Sequence, residues 1–196
     1  PHETLDPVPV ACEIVMALQA MVTRRFSVAD PVVVTIARIE GGTTHNVIPD
    51  SASLRGTMRS LSAGARVRLR EQVEQVASGI AAAHGCTVDV TVTEGFPVTI
   101  CDGRAVALGE AVAADLYGAQ SFRRLGEPIM GAEDFAYVLE QVPGAMFFLG
   151  FSEQGADWSQ CCGIHSTRMM LDEAVMPRGA ALLAGMAERF LARGFD

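Results

Sequence analysis

Over the first ninety-odd residues the apolar positions switch repeatedly between helical spacing and strict alternation, which forces the chain to alternate helices with strands. Ile14, Leu18 and Met21 fall on one helical face, predicting a helix over about residues 8–25. Pro31 then introduces Val32-Val33-Val34-Thr35-Ile36, a β-branched run that reads as a strand. Gly41-Gly42 marks a turn. After Pro49, Ala52, Leu54, Gly56 and Met58 alternate with Ser53, Arg55, Thr57 and Arg59, predicting a second strand. A stripe of Leu69, Val73, Val76 and Ile80 gives an amphipathic helix over about 63–84, stopped at Gly85. Val88, Val90 and Val92, alternating with polar residues, predict a third strand. The order α-β-β-α-β, with two helices on one face of three strands, makes a small α+β domain.

Gly95-Phe96-Pro97 interrupts the pattern and is the expected linker. Beyond it the sequence predicts helices over about 103–117 and 133–142, the second ended by Pro143-Gly144, and a closing helix from about Glu173 to Ala192. Between the last two lies Ala145 to Phe151, an apolar run without polar alternation. Such a strand belongs inside a sheet covered on both faces, and one strand cannot make a sheet. Residues 95–196 therefore read as part of a larger α/β domain whose other strands lie elsewhere.

Composition narrows the function. Hydrophobic residues make up 49% of 196, enough for a packed core. The formal charge of −8, with no basic run, argues against binding a phosphate backbone. The longest apolar stretches, such as Ala180 to Met186, fall short of the ~20 residues a membrane helix needs. The start at Pro1-His2-Glu3-Thr4 resembles no signal peptide and carries no initiator Met, so a processed or cut product is expected. Five cysteines (Cys12, Cys86, Cys101, Cys161 and Cys162), an odd number without CxxC spacing, fit a reducing compartment and a cytoplasmic location. The adjacent Cys161-Cys162 read as small buried residues rather than a soft-metal site.

Few residues offer chemistry. Of four histidines, His84 sits at a helix end and His2 near the start, while His45 and His165 lie in small-residue loops. His165, in Cys161-Cys162-Gly163-Ile164-His165-Ser166, is the candidate metal ligand, though a lone imidazole is more often a hydrogen-bonded structural residue. In Met130-Gly131-Ala132-Glu133-Asp134-Phe135 a glycine precedes two carboxylates at a predicted helix start. The carboxylates suit the helix dipole, and Gly131 would let a ligand approach backbone N–H groups. Asn46 and Arg59, thirteen residues apart on a loop and the strand after it, pair an amide donor with a planar guanidinium, which suits a carboxylate.

Taken in order, these segments resemble one family. Pro1-His2-Glu3-Thr4-Leu5-Asp6-Pro7 is similar to the PH-x-x-x-DP run that opens the lid domain of the metal-dependent N-acyl-amino-acid amidohydrolases, which include hippurate and auxin-conjugate hydrolases. Gly41-Gly42-Thr43-Thr44-His45-Asn46-Val47-Ile48-Pro49-Asp50 with Gly56-Thr57-Met58-Arg59 resembles its GG-x-x-x-NVIPD…G-x-x-R signature. Met130 to Tyr137 resembles its MGSEDFAY segment. Ile164-His165-Ser166, Asp172-Glu173 and Gly179-Ala180 resemble its HS…DE…GA ending, with Thr167 where a proline is usual.

The resemblance implies a two-domain hydrolase of α/β fold class, with a catalytic α/β domain and an inserted α+β lid. Residues 1–94 would be an α+β lid of two-layer sandwich type that mediates a homodimer, short of the family's first strand. Residues 95–196 would be the C-terminal part of a zinc-peptidase-like catalytic domain. It further implies two divalent metal ions per complete site, zinc or manganese, with His165 as one ligand. Asn46 and Arg59 would grip the carboxylate of an N-acyl amino acid, with the Gly131 backbone beside it. The remaining ligands and the general-base glutamate would lie upstream of Pro1. The chain alone is therefore expected to hold metal incompletely and to lack activity, as a portion of an amidohydrolase. The alternatives are a non-catalytic dimerisation or interaction module and a carboxylate-binding domain.

Overall fold

A computed structural model describes residues 1–152 and 164–195. Its order is α1 (Pro7–Arg25), β1 (Val32–Gly41), β2 (Ala52–Ser60), α2 (Ala63–Ala83), α3 (Gly103–Tyr117), α4 (Phe135–Leu139), a 3-10 turn (Glu173–Val175) and α5 (Met176–Arg193). It divides into two compact units. The first comprises Pro1–Val98 and Glu127–Glu133. The second comprises Thr99–Gly126 and the residues from Asp134 on. A single cut at the Gly95-Phe96-Pro97 linker thus misses seven residues, which return to the first unit.

In the first unit local chemistry sets the helix ends. The Asp6 carboxylate accepts from Val8 N at 3.0 Å, and Pro7 supplies a preset φ at the first helical position. Ser62 Oγ accepts from Ala65 N at 3.0 Å, and Gly85 leaves α2 in a left-handed conformation at φ 70°. Val10, Ile14, Leu18 and Met21 of α1 share a core with Ala65, Leu69, Ala77 and Ala81 of α2 and with Val32 and Val34 of β1. Ile36, Leu54 and Met58 pack on it from the sheet. β1 and β2 pair antiparallel, from Gly41 opposite Ala52 to Val32 opposite Ser60, with a bulge between Ile36 and Arg38. The helices cover one face; Val33, Arg55, Thr57 and Arg59 are exposed on the other.

One strand expectation is corrected here. Val90 packs against the core, yet Val88 to Thr93 joins no ladder, and the sheet among the described residues has only β1 and β2. Side-chain alternation marks which residues face the core; a ladder also needs a neighbour at hydrogen-bond distance. In the second unit Ala145 to Phe151 enters no ladder among the described residues, and its partner strands are expected elsewhere. Isolated links hold it: Asp102 N donates to Gly144 O at 2.8 Å, and Asp172 N to Phe151 O at 3.0 Å.

The second unit is built on α3. Ala105, Val112 and Ala113 are buried on it, and Gly109 lies against the ring of Phe147. Phe147 in turn meets Phe122 edge-on, centroids 6.0 Å apart. α5 packs on α3, where Gly185 leaves room for Val112. The outer α5 residues Leu183 and Leu191 remain exposed. The helix expected over about 133–142 shrinks to five residues, since Asp134 makes no side-chain cap and its C-cap is Glu140.

Candidate carboxylate-binding site

β2 carries Arg59 at its penultimate position, on the exposed face of the sheet and opposite Val33. The neighbouring side chains on that face, Ser53, Arg55 and Thr57, are all exposed. Nothing on the strand neutralises the guanidinium. Arg38, Arg70, Arg104, Arg124 and Arg189 each pair with a carboxylate, whereas Arg59 has no such partner among the described residues. Its Nη1 donates to the Met130 carbonyl oxygen at 2.6 Å, across 71 residues of sequence. Met130 immediately precedes Gly131, so two of the three candidate binding segments meet.

Gly131 itself is exposed, and a Cβ built on it would meet only Ile129 Cγ2, at 3.8 Å. The backbone there is open to a ligand. It does not open a helix N-terminus, because α4 begins four residues later and is too short to present an aligned dipole.

Asn46 is not brought to Arg59 within one copy. It lies in the loop joining β1 to β2, which leaves the sheet at the Gly41–Ala52 end. Arg59 is seven residues along β2 from Ala52, about 23 Å at the strand rise per residue. Thirteen residues of sequence proved a poor guide to distance, because an eight-residue strand segment carries Arg59 away from the loop. Asn46 Oδ1 accepts from Thr44 Oγ1 at 3.1 Å, and its side chain is exposed.

His165 is exposed and has φ 73°, a left-handed conformation unusual outside glycine. Cys161, Cys162 and Gly163, which precede it, lie outside the described residues. Among the described residues no group of three or more His, Cys, Asp or Glu side chains is placed to hold a metal ion. A divalent site generally needs three or four protein ligands, so one imidazole does not constitute a centre. His84 has a structural partner instead, Glu13, at 2.7 Å.

Sequence reasoning missed the Asp102–Arg104 pair. Asp102 caps α3 by accepting from Arg104 N at 2.8 Å, and its carboxylate also takes Arg104 Nη2 at 2.8 Å. The Arg104 side chain, then its backbone N–H, lowers the Asp102 pKa to about 2. Asp followed by Gly-Arg before an apolar periodic run was the available signal.

A model of Peptidase family M20/M25/M40 matches residues 5–189. The chain belongs to that family. It is 33% identical over 195 residues to the IAA-amino acid hydrolase ILR1-like 4 of Arabidopsis thaliana, covering 97% of this chain and 44% of that protein. It is 33% identical over 183 residues to the N-acetyldiaminopimelate deacetylase of a Geobacillus species, covering 93% of this chain and 46% of that protein. Among solved structures, the YXEP protein of Bacillus subtilis, a dinuclear metal-binding peptidase of the M20 family, superposes with a TM-score of 0.75 at 30% identity. That match covers 98% of this chain and 48% of the other. The chain thus spans about half the length of the relatives it matches. The α/β fold class expected from the sequence, with an α+β lid and part of a zinc-peptidase-like catalytic domain, agrees with these M20-family structural matches.

Proposed function

We propose that this chain is the portion of a metal-dependent amidohydrolase that reads the free carboxylate of an N-acyl amino acid or similar small amide. The observation that carries the reading is the exposed Arg59 guanidinium, without a carboxylate partner among the described residues and bonded to the carbonyl before Gly131. A guanidinium presents five N–H donors in a planar fork, and one carbonyl leaves an edge for bidentate capture of a carboxylate. The open backbone at Gly131 suits the acyl-amide end of the same ligand. The IAA-amino acid hydrolase and deacetylase names of the relatives support an amide substrate with a carboxylate beside it.

Divalent metal chemistry is proposed for the complete enzyme, in keeping with the dinuclear relative. Among the described residues no group of three or more potential ligands gathers, and His165 is the family-motif ligand, so no catalytic step is assigned to this chain. Its share is to bind and orient the substrate. Asn46, at the far end of the hairpin from Arg59, is proposed to serve a carboxylate only where another element or a second copy approaches its loop. The homodimer proposed for residues 1–94 is supported by the outer edges of the β1–β2 sheet, on which no further strand pairs among the described residues. The free thiols of Cys12, Cys86 and Cys101 support a reducing, cytoplasmic setting.

Calorimetric titration with N-acetylalanine tests the binding claim. Arg59→Ala is expected to weaken affinity roughly 10- to 100-fold, the range for a charged hydrogen-bond pair, and Arg59→Lys to recover part of it. Equal affinity in wild type and Arg59→Ala would remove Arg59 from the site.

A further inference from the structure

Residues Glu127–Glu133 pack with the first unit although the chain on both sides of them packs with the second. Seven residues cross over and return, without helix or strand to stiffen them. Such an excursion loses conformational entropy and needs a fixed point to offset it. Of these seven residues only Met130 is half-buried; the others are exposed. The hydrogen bond from Arg59 falls on that same residue, on its carbonyl.

The geometry of the fork matters. Met130 O takes Nη1, so the Nε–Nη2 edge makes no hydrogen bond with the described residues. That edge offers two parallel N–H groups, the arrangement that accepts a carboxylate bidentately. A guanidinium on a flexible stem loses less rotational freedom on binding once one corner is already held.

We propose that the Met130 carbonyl is a positioning group: it anchors the strap Glu127–Glu133 to the sheet and sets the rotation of Arg59, so that strap docking and carboxylate binding reinforce one another. The coupling rests on the carboxylate reading given above; the anchor does not. Because linkage is reciprocal, a ligand that prefers the oriented guanidinium must hold the strap more tightly.

Cleavage by a Glu-specific protease after Glu133 reports the strap, and cleavage after Glu71 within α2 serves as an internal reference. Initial rates, quantified by mass spectrometry, follow the population of the open segment when opening is fast. Arg59→Ala is expected to speed cleavage after Glu133 on the order of fivefold, the worth of one net hydrogen bond, without changing cleavage after Glu71. Arg59→Lys, which keeps one donor, should fall between. Saturating N-acetylalanine should slow cleavage after Glu133 in wild type and leave Arg59→Ala unchanged. An unchanged rate after Glu133 in Arg59→Ala overturns the anchor, and so does a parallel rise after Glu71, which would mean general unfolding. If N-acetylalanine binds wild type without slowing the cut, the coupling is wrong. If it does not bind at all, the carboxylate reading and the coupling fall together, while the anchor is still judged by Arg59→Ala.

Discussion

Gly56 sits at the centre of the β1–β2 hairpin, opposite Ile36 and beside the bulge between Ile36 and Arg38. A Cβ built there would collide with the Thr35 carbonyl oxygen and lie 2.9 Å from Ile36 Cδ1 and 3.0 Å from Ile36 Cα. Two of these three atoms are backbone, so a rotamer change cannot relieve the contact. Gly56→Ala must push the strands apart where they are paired. Overpacking of this kind costs about 1–3 kcal/mol, and a weakened ladder hydrogen bond adds about 1 kcal/mol. Gly79 is the matched control. It lies inside α2, where an added Cβ would meet nothing within 4 Å. Gly79→Ala should therefore stabilise by about 0.5–1 kcal/mol, by restricting the unfolded chain and favouring the helix. The assay is hydrogen exchange of the slowest α1 and α2 amides, which open only with the whole first unit. The two variants should differ by about 3 kcal/mol, roughly two orders of magnitude in exchange rate. Gly56→Ala within 0.5 kcal/mol of wild type would refute the close approach, with the 0.5 set by the usual size of a neutral surface change. Destabilisation by Gly79→Ala would show that α2 is not open where the structure has it.

Other predictions are narrower. Because Arg104 holds the Asp102 pKa at about 2, below its ordinary value of 3.8, the α3 cap should be fully effective above pH 4 and be lost as pH falls toward 2. Asp102→Asn keeps the cap acceptor without the charge, so amide exchange in α3 should lose its pH dependence in that window; a dependence identical to wild type would locate the titrating group elsewhere. Light scattering at micromolar concentration should give twice the monomer mass if residues 1–94 form the proposed homodimer, and monomer alone would count against it.

How much of this was legible beforehand differs by element. α1, α2 and α3 form where the sequence places helices, and the structure adds the caps that fix their ends: Asp6 with Pro7, Ser62 and Asp102 at their starts, Gly85 and Gly118 after the second and third. β1 runs to Gly41, five residues beyond the β-branched run, because pairing with β2 rather than propensity sets its length. Val88 to Thr93 joins no ladder, against the expected third strand, since a partner leaves no mark in the strand it would join, whereas the partner strands of Ala145 to Phe151 are expected elsewhere. In the candidate site, Arg59, Gly131, Asn46 and His165 were singled out by residue type and family motif. Their distances were not legible. Arg59 meets Met130 across 71 residues, a contact without local signal, whereas Asn46, thirteen residues away, lies at the other end of the hairpin.

Hydrolysis of an N-acyl amino acid is the most direct test of the proposed function. The chain would be assayed with added zinc or manganese, first by itself and then joined to the half of the family length that it does not span. The expected result is no turnover by the chain alone, turnover by the joined protein, and a kcat/KM lowered roughly 10- to 100-fold by Arg59→Ala in the joined protein. Turnover by the chain alone that disappears in His165→Ala would contradict the account, because it would place a working catalytic centre within these 196 residues.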